Sequence, residues 1–66
     1  MDNWFQYLIV FSGDGIWSKT NLLHRWKSNA IIENALALSY IEQCGVTDIG
    51  EPQYRITELG KKVRDN

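Results

Sequence analysis

His24 and Cys44, the only histidine and the only cysteine of the chain, are the residues from which site chemistry would have to start, and each lacks company. Structural zinc takes four Cys or His ligands, so no metal centre is expected. Nucleophilic catalysis needs a base beside the nucleophile and a third group to orient it, and no pattern here assigns that group. The glycine-rich "SGDG" at 12–15 has neither the lysine nor the spacing of a phosphate loop. No enzyme activity, cofactor or small-molecule substrate is expected.

What remains is charge, and it is unevenly placed. Residues 19–28 carry Lys19, Arg25 and Lys27 without an acid. Residues 29–53 carry Glu33, Glu42, Asp48 and Glu51 without a Lys or Arg. The last stretch, 54–66, sets Arg55, Lys61, Lys62 and Arg64 against Glu58 and Asp65, and Asp2 and Asp14 bring the net charge to −1. A net charge this small offers no whole-molecule attraction to nucleic acid or to an anionic membrane. The "HRWK" run at 24–27 interleaves an aromatic with basic residues. It reads either as a solvated helix end or as an anion-contacting patch. A stacking platform for single strands would need several such aromatics on an exposed sheet.

These charges must be held by a small body. At 66 residues the chain suits one domain over 1–66, hiding only about 60% of the surface its unfolded form exposes. Its 44% hydrophobic content, with three Trp, three Tyr and two Phe, is enough to fold, and the Trp residues are expected to anchor the core. A thin core favours a homodimer or a protein partner that buries more apolar surface. "FQYLIVF" is too short to span a bilayer and lacks the flanks of a signal peptide. With a lone cysteine excluding an internal disulfide, the expectation is a cytoplasmic protein without a membrane partner.

Breaks and caps divide the chain. Asn3 with Gln6 suits the start of a first helix running to about Phe11, stopped by "SGDG". Ile16-Trp17 reads as a very short strand, and Ser18 caps a second helix, "KTNLLHRWK". "SN" at 28–29 opens a third helix, expected from about Ala30 to Cys44 with Gly45 as its left-handed stop. Val46–Ile49 reads as a strand, "GEPQ" as a turn and Tyr54–Thr57 as the returning strand. Thr57 caps a short closing helix, with Glu58 at its positive end and Lys61, Lys62 and Arg64 towards the other. Gly60 costs that helix about 1 kcal/mol relative to alanine, so tertiary contacts must explain it.

This order, with "ALALSYIEQCGVTDI" followed by "YRITELGKKV", resembles the winged helix-turn-helix family of small bacterial, archaeal and phage-type regulators. Ile41, Glu42 and Gly45 match the Leu-Glu-x-x-Gly that ends many of its recognition helices. Tyr54, Arg55, Ile56, Thr57 and Gly60 match the Tyr-Arg-Leu-Thr-x-x-Gly of its second wing strand. The resemblance implies an α+β fold, mostly helical: a three-helix core, a two-stranded wing and a short C-terminal helix. It further implies a regulator that binds duplex DNA, with the third helix in the major groove. Lys19, Arg25, Lys27, Arg55, Lys61, Lys62 and Arg64 would then contact phosphates, the usual source of affinity for DNA.

A helical projection of the third helix puts Ile31, Ala35, Leu38 and Ile41 on the core side and Asn29, Ile32, Glu33, Leu36, Tyr40 and Gln43 opposite. Asn29 and Tyr40 are the candidates to face bases. Ile32, Leu36 and Tyr40 would form an exposed apolar stripe suited to a dimer or protein partner. A second reading follows: an interaction module of the same fold that binds protein and not DNA. A third is a purely structural oligomer subunit. Alternatively the helix starts later or is rotated, and Leu36 and Tyr40 pack under the first helix.

Overall fold

The computed structural model describes residues 3–12 and 15–65; Gly13 and Asp14, at the centre of the expected first break, lie outside them. Helix α1 spans Trp4–Leu8, with turns continuing through Phe11, whose N–H reaches the Leu8 carbonyl at 3.0 Å. The helix proper is thus shorter than expected. Asn3 caps it without its side chain: its backbone carbonyl accepts from the Gln6 N–H at 2.9 Å. Strand β1 is Ile16–Ser18, and α2 is Lys19–Trp26. Ser18 Oγ accepts from the Asn21 N–H at 3.4 Å, as its place before the helix foretold. Ser28 does the same for Ile31 at the head of α3, Asn29–Ala37.

The largest correction falls at the end of α3. The expected helix to Cys44 stops at Ala37, and Ile41–Val46 is strand β2. Ser39, at φ 63°, takes the left-handed position expected of Gly45. The cause is pairing at long range. Ile41 lies opposite Ile56 and Glu42 opposite Arg55, which satisfies the backbone of β3, Pro52–Ile56, on its second side. A helix over 38–44 would leave β3 with only the three residues of β1. The turn moves with the strand. Thr47 closes it by donating its N–H to the Glu51 carbonyl at 2.8 Å and accepting from Gly50 at 2.9 Å, with Gly50 at φ 83°. It precedes the expected "GEPQ" turn, and Cys44 sits half-buried in a strand, not in the last turn of a helix.

The strands form one antiparallel sheet in the order β1-β3-β2. Ile16, Arg55 and Glu42 line up across it on the outer face, all exposed. Tyr54, Ile56 and Ile41 face inward and join Leu8, Phe11, Leu22, Trp26, Ile32 and Ala35 in the core. Aromatic rings run through the interior in sequence, Tyr40 to Trp4 to Tyr7 to Trp26 to Phe11 to Trp17, at centroid spacings between 5.3 and 6.4 Å. The indoles of Trp26 and Trp17 donate to the carbonyls of Tyr7 and Val10, so Trp26 is buried and Trp17 half-buried with the polar handle of each satisfied.

Helix α4, Glu58–Asp65, packs on α1 and begins where Thr57 Oγ1 accepts from the Gly60 N–H at 3.0 Å. Gly60 is buried against the chain that links α3 to β2. A Cβ there would overlap the Tyr40 carbonyl oxygen and stand 2.7 Å from Ile56 Cγ1. Close approach, not flexibility, explains the glycine. Among the described residues the fold is α+β, with four helices and a three-stranded antiparallel sheet, about half helical. None of these helices is long and apolar enough to cross a membrane.

Candidate nucleic-acid interface

Nine residues of α3 separate cleanly by side. Ile31, Ile32, Ala35 and Leu36 turn inward; Ile32 is 1% exposed and Ala35 fully buried. Asn29, Ala30, Glu33, Asn34 and Ala37 are all exposed and share the remaining arc, about 140° wide at about 100° per residue. The open side is therefore small and polar. Ile32, expected there as part of an apolar stripe, is core, and Leu36 is half-buried against it. Tyr40 lies beyond the helix, and its ring packs edge-on to Trp4 at 5.3 Å, which withdraws it from any base-facing role on α3. The alternative in which Leu36 and Tyr40 pack inward, Tyr40 against the first helix, describes the molecule better than the projection did. Ending the helix at Cys44 placed Ile41 on the core side and rotated the inferred axis; the shorter helix removes that constraint.

Two of the open side chains are joined. Asn29 Nδ2 donates to Glu33 Oε2 at 3.1 Å, one turn along the helix. Because a carboxylate only accepts, this bond fixes which end of the amide faces Glu33. Asn34 and the methyl groups of Ala30 and Ala37 complete the surface. These three went unnoticed in the sequence, although the same projection applied to a helix ending near Ser39 would have found them.

The basic residues fall into two sets. Arg25 and Lys27 are exposed beside the α2–α3 turn, within four residues of Asn29, and Lys19 begins α2. Among the described residues none of these three forms an ion pair, nor does Lys62 on α4. The other three expected phosphate contacts have internal partners. Arg55 Nε meets Glu42 Oε2 at 2.6 Å on the exposed face of the sheet. Lys61 stands 3.7 Å from Glu58, and both line a cleft of about 420 Å³ with Glu42, Arg55, Ile56 and Thr57. Arg64 donates to the Phe11 carbonyl at 2.5 Å and to Asp65 at 2.7 Å, holding the Asp65 carboxyl below its usual range. Three of the seven expected phosphate contacts are therefore engaged within the chain.

The hairpin is tied to α2 beside its turn. Glu51 Oε1 accepts from the Thr20 N–H in the first turn of that helix, where the helix dipole favours a negative charge. Burial raises the Tyr54 phenol above its usual value, and the charges of Glu33 and Glu51 raise it further. The far end of the hairpin is not basic: Asp48 and Ile49 form its tip, Ile49 87% exposed.

No family model, curated protein or solved structure matches the chain.

Proposed function

We propose that this chain is a winged helix-turn-helix protein that binds duplex DNA and acts as a transcriptional regulator, with α3 in the major groove. Two features support the fold reading. The α2–turn–α3 pair is followed directly by the β2–β3 hairpin, and the returning strand sits between β1 and β2. The observation that carries the function is the open side of α3. Asparagine and glutamate are base-edge readers, alanine suits the thymine methyl, and none of these side chains is bulky enough to hold a helix out of a groove about 12 Å wide. Lys19, Arg25 and Lys27 are the phosphate contacts of this reading. Arg55, Lys61 and Arg64 are left out because acids and a carbonyl engage them, and Lys62 because its helix, α4, packs on α1 and β3 and not on the α2–α3 pair. A protein-binding α3 has less support, since its apolar residues serve the core.

Homodimerisation belongs to the same proposal, now through α1 and not α3. Phe5 of α1 and Ile9 at its C-terminal cap lie one turn apart, each about half exposed. Fluorescence anisotropy with a labelled duplex between about 50 and 200 mM salt tests both parts. Three phosphate contacts correspond to a log–log slope of about −3, and two chains on one site to about −5. Charge removal at Arg25 and Lys27 together should flatten the slope by about 2 for each chain bound. Absence of binding at 50 mM, or binding indifferent to salt, contradicts the proposal.

A further inference from the structure

The bond between Asn29 and Glu33 limits what the open side of α3 can recognise. With one N–H of its amide given to Glu33 Oε2, Asn29 keeps one N–H and its Oδ1 for another partner. That remaining donor–acceptor set fits adenine, which offers the N6 amino group and the N7 acceptor side by side in the major groove. Glu33 is more restricted still. Its free Oε1 only accepts, and in the major groove only adenine N6 and cytosine N4 donate. Guanine N7 and O6 and thymine O4 would face it with like partial charge. Adenine places N7 beside its amino group, whereas cytosine presents N4 with no second acceptor of its own, so cytosine is the better match.

Resting on the DNA-binding reading of α3, we infer that the Asn29–Glu33 pair makes this chain selective for duplexes carrying adenine beside cytosine, with a second adenine read by Asn34. Asn29 and Glu33 are four residues apart, about 6 Å along the axis, which reaches a neighbouring base pair and not a distant one. Asn34 lies about 100° around the helix from Glu33 and approaches the groove from the other side. Ala30 and Ala37, small and exposed between them, leave room for thymine methyls. Glu33 thereby acts against affinity and for selectivity. Its charge repels phosphates at every sequence, while its acceptor favours one base.

Selection from a pool of duplexes with a randomised central block, using the full chain at about 50 mM salt, tests this. The bound fraction should be enriched in adjacent adenine and cytosine. Glu33→Ala should relax the cytosine position about tenfold and, with a charge that repels phosphates gone, bind an unselected duplex more tightly than the parent. Asn34→Ala should relax only the second adenine. Because both positions are exposed, thermal melts by circular dichroism should match the parent's for both variants. Binding without base enrichment, or enrichment that Glu33→Ala leaves unchanged, overturns the inference while the DNA-binding reading stands. Failure to bind any duplex overturns that reading, and the inference with it.

Discussion

Lys27 and Ser39 hold the same rare backbone conformation, φ 61° and 63°, at the ends of α2 and α3. A side chain in the left-handed region costs about 1–2 kcal/mol, and glycine escapes this while giving back about 0.5–1 kcal/mol in unfolded-state entropy. Replacing either by glycine should therefore raise stability by about 0.5–1 kcal/mol, or a few degrees in melting temperature. The account separates them by function. Lys27→Gly should also weaken duplex binding several-fold and lower the salt slope by about 1, whereas Ser39→Gly should leave both unchanged. Strain retained at Lys27 is then the cost of placing a cation beside the turn. If the two glycine variants bind DNA alike, Lys27 contacts no phosphate.

Among the elements, α4 makes the sharpest test of how the parts pack. Local propensity says that Gly60→Ala stabilises a helix by about 1 kcal/mol. Packing says the opposite, because the added methyl meets the Tyr40 carbonyl, a backbone atom fixed by its own hydrogen bond from the Thr57 N–H at 3.0 Å. Overpacking of this kind costs about 3 kcal/mol, so the net loss should be about 2 kcal/mol and the melt should fall by about 10 °C. An unchanged or higher melting temperature would mean that α4 does not approach the α3–β2 link this closely.

The same contrast between local and distant forces explains what the sequence could disclose. Ser18, Ser28 and Thr57 announced their helices because a cap is settled within three residues. Ile16-Trp17 was visible as a strand for a similar reason, bounded by turn residues on one side and a cap on the other. The end of α3 was hidden, since "LSYIEQC" continues a helical pattern and becomes strand only through Ile56 and Arg55, more than ten residues away. That one boundary carried the error in facing. It put Ile32 outside, and it concealed Asn34, Ala30 and Ala37 as the open surface. Partners of the cations were hidden too. Glu42 meets Arg55 only because β2 and β3 pair, and Arg64 reaches Phe11 from the other end of the chain.

At the scale of the whole molecule, a net charge of −1 and an acidic hairpin tip leave no broad field to draw in DNA. Binding must come from a few local groups around the α2–α3 turn, so where the duplex touches is more telling than how tightly it is held. Amide proton–nitrogen NMR spectra, recorded at low salt while a duplex is added, answer that directly. The account expects the perturbed amides to cluster at 25–37, centred on Arg25, Lys27, Asn29, Glu33 and Asn34, with those of α4 little changed. Perturbations confined to α1 and α4, or spectra that do not respond to the duplex, would contradict it.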